Sequence, residues 1–77
     1  MRVADVKITE MNAGETKSFT LTFGGAFHLI QQIDDAIDNT TWQKEGSQNF
    51  EIVVTDEEQF NDEEYEMLQN EGIILGY

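Results

Sequence analysis

Any chemistry in this chain has to come from carboxylates, because little else is present to do it. The sequence holds sixteen Asp and Glu, four Lys and Arg, one histidine and no cysteine. Nucleophilic catalysis needs a base beside the nucleophile. His28 is the single imidazole, and Ser18 and Ser47 fall in strand and turn contexts. A lone histidine with no partner His or Cys reads as a half-exposed surface residue, not as a base or a ligand. Paired carboxylates do acid-base work inside a cleft whose walls push their pKa values apart, and 77 residues leave little room for one. The expectation is a protein that is not an enzyme and takes no cofactor.

Two binding chemistries are weighed and set aside. Acids cluster at Asp56, Glu57, Glu58, Asp62, Glu63 and Glu64, but without the alternating Asp spacing and sixth-position glycine of a dedicated calcium loop. Adventitious cation binding is the expectation there, and no metal site is assigned. Gly24-Gly25 ahead of a helix can expose amides to a phosphate. No Lys, Ser or Thr follows to complete a nucleotide site, so the pair reads as a strand-to-helix break.

What remains is the placement of negative charge. In residues 1–23, Arg2, Lys7 and Lys17 balance Asp5, Glu10 and Glu15, whereas residues 49–77 carry nine acids and no base. The total is −12, a charge that repels nucleic acid and anionic lipid and attracts basic surfaces. Asp62 and Glu66, or Glu63 and Glu66, stand one helical turn apart, about 5 to 6 Å between Cβ atoms. Phosphates along one nucleic-acid strand are spaced ~6 to 7 Å, close to that step. Asp34, Asp35 and Asp38 lie near a helix C-terminus, where the macrodipole opposes them. Stability alone does not select those positions.

The elements that position these acids follow from periodicity. Val3, Val6 and Ile8 form a β-prone run, and Phe19, Leu21 and Phe23 alternate with Ser18, Thr20 and Thr22, so residues 1–23 read as a hairpin turning at Asn12, Ala13 and Gly14. Ala26, Leu29, Ile30, Ile33, Ala36 and Ile37 share one helical face that ends at Asn39 and Thr40. Gly46-Ser47 marks a turn, Trp42 is placed to begin a partner strand, and Phe50, Ile52 and Val54 mark a third strand. Asn61 as N-cap, Glu64 as capping-box partner and a Phe60–Tyr65 staple predict a second helix from Asp62 to about Asn70. Thr55 with Glu58 is a second, weaker box over a short turn at Asp56 to Gln59. Gly72 supplies the left-handed cap, and Ile73, Ile74 and Leu75 make a strand expected to be buried on both faces.

The implied architecture is α+β: a small mixed sheet of about four strands with two helices in ββαβαβ order, one domain over residues 1–77. Seven Phe and Tyr besides Trp42 supply a core and argue against disorder. No apolar run reaches the ~20 residues needed to span a bilayer, and the N-terminal segment lacks the apolar stretch of a signal peptide. A cytoplasmic protein is expected, as a monomer or small homo-oligomer.

Three resemblances bear on function. The element order resembles the β-grasp, ubiquitin-like arrangement, but the terminal di-glycine of a conjugated modifier is missing from Gly72 to Tyr77. In length and acidity the chain resembles acyl carrier proteins, yet neither Ser18 nor Ser47 has the Asp-Ser-Leu setting that carries the prosthetic arm. In size, acidity, missing cysteines and segregated charge it is similar to the small nucleic-acid-mimicking inhibitors of phages and mobile elements, such as anti-CRISPR, anti-restriction and uracil-glycosylase-inhibitor proteins. That likeness implies a basic nucleic-acid-binding host protein as partner, met by Asp34, Asp35, Asp38, Glu57, Glu58, Asp62, Glu63 and Glu66, with no direct contact to nucleic acid or membrane. The alternatives are a phage or mobile-element assembly subunit, an acidic ubiquitin-like adaptor, and a salt-adapted acidic domain whose carboxylates are simply solvated.

Overall fold

The structure, a computed structural model, describes residues 1–40 and 49–76. The Gly46-Ser47 turn, the strand start at Trp42 and the terminal Tyr77 lie outside the described residues. The elements are β1 (Arg2–Glu10), β2 (Glu15–Phe23), α1 (Ala26–Asp38), β3 (Phe50–Val54), a single 3-10 turn (Glu57–Gln59), α2 (Asp62–Asn70) and β4 (Ile73–Leu75). The four strands form one mixed sheet in the order β2-β1-β3-β4, antiparallel throughout except for the parallel β3–β4 pair. This is the expected α+β fold in ββαβαβ order.

Alternation decides which side of the sheet is covered. Ala4, Val6, Ile8 and Glu10 of β1 are buried while Asp5 and Lys7 between them are exposed, because successive side chains of a strand point to opposite faces. Val3 is out of phase with Val6 and Ile8, and it is 49% exposed on the uncovered face. On the covered face these residues meet Phe23, Val54 and Ile73 with Leu29 and Ile33 of α1 and Leu68 of α2. Since only one face carries helices, β4 is not buried on both sides as expected: Ile73 is buried, whereas Ile74 points outward and is 40% exposed.

The hairpin closes on a buried carboxylate. Gly14 takes φ +70°, a conformation that favours glycine, and its N–H donates to the Glu10 carbonyl at 2.8 Å. Glu10 is only 2% exposed, yet its two carboxylate oxygens accept the N–H groups of Asn12 (3.0 Å) and Ala13 (2.6 Å). Burial of a charge is tolerable where the hydrogen bonds of water are replaced in this way.

At the opposite end of the sheet, Arg2 ties four segments together. Its guanidinium forms a two-pronged ion pair with Glu64 of α2, with 2.9 Å for the Nη1–Oε1 contact, and donates to the carbonyls of Gln59 (3.0 Å) and Gly24 (3.4 Å). The same group lies over the rings of Phe23 and Phe60, 4.9 and 5.8 Å from their centroids. Those rings stack on one another at 5.6 Å. Glu64 also completes the α2 capping box: its N–H donates to the Asn61 side chain at 2.9 Å and its carboxylate accepts from the Asn61 N–H at 3.3 Å. The predicted N-terminus of α2 is therefore observed.

The other caps divide. Gly72 ends α2 with φ +81°, as expected. The turn at Glu57–Gln59 forms, but its N-cap is Asp56 and not Thr55. The N–H and hydroxyl of Thr55 are instead committed to the Asp5 carbonyl across the sheet. At α1 the N-cap is Gly25, which has no side chain to offer. The free amide of Gly24 donates to Nδ1 of His28 at 2.8 Å, so the histidine is a local cap as well as a half-exposed surface residue.

Two substitutions test this frame. Glu10→Ala strands two turn amides and should lower the free energy of unfolding by about 1 to 3 kcal/mol in a urea titration. A double-mutant cycle of Arg2→Ala with Glu64→Ala should return a coupling of roughly 1 kcal/mol, the attraction being reduced by partial exposure of the guanidinium.

Candidate interaction surface

The direction of the two helices follows from the sheet. β2 ends beside Arg2, so α1 starts there and returns toward the hairpin; β3 ends near the same place, so α2 starts there too, before β4 runs parallel to β3. The helices thus lie side by side pointing the same way. Both N-termini sit at the Arg2 end and both C-termini at the hairpin end. At the start of α1, the Glu64 carboxylate lies against Gly25, where a Cβ would be 3.9 Å from its oxygen, and the Ala26 amide helps to lower its pKa. The anion expected at a helix N-terminus is thus supplied internally, and the Gly24-Gly25 break needs no phosphate.

All eight acids assigned from sequence are exposed. Asp34, Asp35 and Asp38 stand on the last turns of α1, at the hairpin end. Asp62 and Glu63 open α2 at the Arg2 end, with Glu66 one turn further along. Glu57 and Glu58 belong to the turn before α2, and Glu57 lies against Gly76 so closely that a Cβ there would meet its carboxylate. The eight therefore form no single row. They make a group at each end of the helical layer, bridged by Glu66. Among the described residues the ion pairs are Arg2–Glu64 and Lys17–Glu15, and none of the eight takes part in an ion pair or a side-chain hydrogen bond.

Glu71 was missed by the sequence reading. It caps the C-terminus of α2 and its charge acts on Asp34. Partial desolvation first, and then Asp38, Glu71 and Asp35, raise the Asp34 pKa above the ordinary carboxylate range. The parallel helices bring their negative dipole ends to the same place. In sequence Glu71 is an isolated acid beside Gly72, and nothing local links it to a helix 37 positions earlier.

The opposite face of the sheet has another character. It presents Val3, Asp5, Lys7, Thr9, Thr16, Ser18, Thr20 and Thr22 with Glu51, Val53 and Ile74, a nearly neutral and threonine-rich surface. Cross-strand pairs fasten it, Thr20 to Asp5 at 3.0 Å and Thr9 to Thr16 at 2.8 Å. An open hollow of about 220 Å³ is lined there by Lys7, Thr9, Thr16, Glu51 and Val53, remote from the acids on the helices. Among the described residues no group of three or more His, Asp or Glu side chains is placed to hold a metal ion, and no helix is long and apolar enough to cross a membrane.

Comparison with protein-family models, with curated proteins and with solved structures yields no match.

The two perturbed carboxyls act on stability with opposite signs. Glu64 is held below the ordinary range, chiefly by its hydrogen bonds from Arg2, with the amides of Asn61 and Ala26 adding to it. Its contribution is complete above the usual Glu value of about 4.3 and is lost as pH falls through the lowered pKa. Asp34 binds its proton more readily folded than unfolded, so stability rises as pH falls through its raised pKa and levels off near the usual Asp value of about 3.9. Urea unfolding across a pH series should therefore show maximal stability in mildly acid solution, and Asp34→Asn should flatten the limb above that maximum.

Proposed function

We propose that this protein is an acidic inhibitor that imitates nucleic acid and occupies the basic DNA- or RNA-binding surface of another protein, as the anti-CRISPR and anti-restriction proteins of phages do. The reading rests on one observation: among the described residues, the eight exposed carboxylates of the helices and of the turn before α2 make no ion pair, while the other face of the sheet is nearly neutral. Like charges at helical spacing cost a few tenths of a kcal/mol per pair. Those near the α1 C-terminus also work against the dipole. A total stability of ~4 to 11 kcal/mol for a domain this size makes such penalties appreciable. Binding of a cationic partner offsets them.

In this reading the mechanism is competition and not catalysis. Carboxylates at the two ends of the layer stand in for phosphates contacted by a basic groove, and the field of the layer steers the encounter. The partner is a nucleic-acid-binding protein of the host cell, and the inhibitor acts in the cytoplasm. A salt-adapted protein gains from acid spread over its whole surface, and the near-neutral sheet face favours a directed role over that explanation.

Capture from host lysate at low salt, followed by identification of the retained protein, gives the target. The inhibitor should then displace DNA or RNA from it, with association falling steeply as salt screens the field to ~8 Å. Reversing Glu63 and Glu66 together to Lys should slow association by on the order of tenfold or more and leave the circular dichroism spectrum unchanged. Retention of no basic protein, together with melting that climbs by tens of degrees in molar salt, would instead indicate salt adaptation.

An assembly subunit is the second reading, favoured by the edge positions of β2 and β4 in the sheet among the described residues and by the exposed Ile74. Unprotected edge strands invite pairing with another copy. Sedimentation separates the two: a monomer or small dimer accords with inhibition, a ring or filament with assembly.

A further inference from the structure

The helical layer carries two exposed apolar side chains among its acids. Phe27 on α1 is 65% exposed and Met67 on α2 is 43% exposed. Phe27, Gln31, Asp34 and Asp38 recur at steps of four, three and four, so they share one stripe of α1, and all four are exposed. On α2 the neighbouring exposed positions are Glu63, Glu66, Met67 and Asn70. Phe27 therefore heads a stripe that runs through Gln31 to Asp34 and Asp38, and Met67 stands beside Glu63 and Glu66.

The fold sets the distance between them. The two helices start together, with the Glu64 carboxylate reaching back to the Asn61 N–H and lying against Gly25, and they then run in the same direction. Phe27 is two residues beyond Gly25 and Met67 six beyond Asn61, so their axial offset is ~6 Å at the helical rise. Packed helix axes are 8 to 10 Å apart in general. Their backbone positions are thus roughly 10 to 12 Å apart, about two turns of a further helix.

We propose that this layer seats a basic amphipathic helix of the partner, with Phe27 and Met67 as apolar anchors and the carboxylates of both helices pairing with its Lys and Arg residues. Charge complementarity selects this occupant. Among the described residues Lys7 and Lys17 lie on the strands and Arg2 is taken up by Glu64, so the layer offers a partner carboxylates, neutral polar groups and the two apolar side chains. An apolar anchor ringed by charges is the usual construction of a helix-in-groove contact. The inference rests on the reading that these acids meet a cationic macromolecule, and it adds that the contact is not purely electrostatic.

Two synthetic peptides of equal charge provide the test: a Lys/Leu helix with leucines at i, i+3, i+4 and i+7, and an oligolysine, each titrated into the whole chain and followed by NMR. At physiological salt the Lys/Leu peptide should bind about tenfold more tightly than oligolysine and shift the resonances of Phe27 and Met67. Replacing both residues by Ala should remove that advantage, with the oligolysine affinity and the circular dichroism spectrum unchanged. Equal affinities for the two peptides, shifts centred on Val3, Lys7 and Thr16, or an Ala pair that binds the Lys/Leu peptide as well as the parent does would each overturn the proposal. Oligolysine binding at low salt without preference for the Lys/Leu peptide removes only the apolar seat. Failure of both peptides to bind even at low salt counts against the electrostatic reading as well.

Discussion

Arg2 and Glu64 form the joint on which the helical layer hangs. An arginine at the second position of the chain reaches the end of β2, the turn after β3 and the first turn of α2 at once. The same carboxylate that binds it closes the α2 capping box and lies against the start of α1. Two reversals of chain direction thus converge on one ion pair. The planar guanidinium suits the task because it can satisfy a carboxylate with two parallel donors while lying flat on Phe23 and Phe60; a lysine ammonium offers neither geometry. With so little chain available to build a core, a polar joint of this kind supplies organisation that apolar packing alone does not.

The remaining electrostatics follow from that joint. Starting both helices at the Arg2 end obliges both to finish at the hairpin end, where Asp34, Asp35, Asp38 and Glu71 add to two negative dipole ends. Acids at the N-termini, by contrast, are favoured by the dipole and one of them, Glu64, is consumed internally. The layer is therefore not a uniform acidic surface. One end holds carboxylates that the fold itself favours, and the other holds carboxylates that it opposes. The sheet, with its threonine pairs and balanced charges, stands apart from this arrangement on the far side.

Much of the fold was legible because its determinants are local. Asn61 and Glu64 are three residues apart and their capping box formed as read, as did the Gly14 turn, the Gly72 cap and the amphipathic α1. Two errors share one physical origin, a distant strand or layer that local pattern does not show. Thr55 has the right neighbour for a cap, yet β1 offers its N–H and hydroxyl a better acceptor in the Asp5 carbonyl. Ile74 sits in an apolar run that suggests burial on both sides, and only the position of β4 at the edge of a one-sided layer exposes it. His28 lacked any distant partner, but its bond to Gly24 is four residues away, a local signal that a reading focused on catalysis overlooked.

Composition and periodicity by themselves determined the order and type of the described elements and the sign and concentration of charge. These depend on side-chain chemistry and on contacts a few residues apart. Tertiary structure alone decided that the acids divide between two ends, that Glu71 joins Asp34, that Arg2 engages Glu64, and that Phe27 and Met67 stand within one surface. Each of these is a relation between residues separated by many positions, fixed by strand order and by the common direction of two helices. No local pattern encodes strand order, because the free energy that selects it is spread over the whole sheet and the core beneath it.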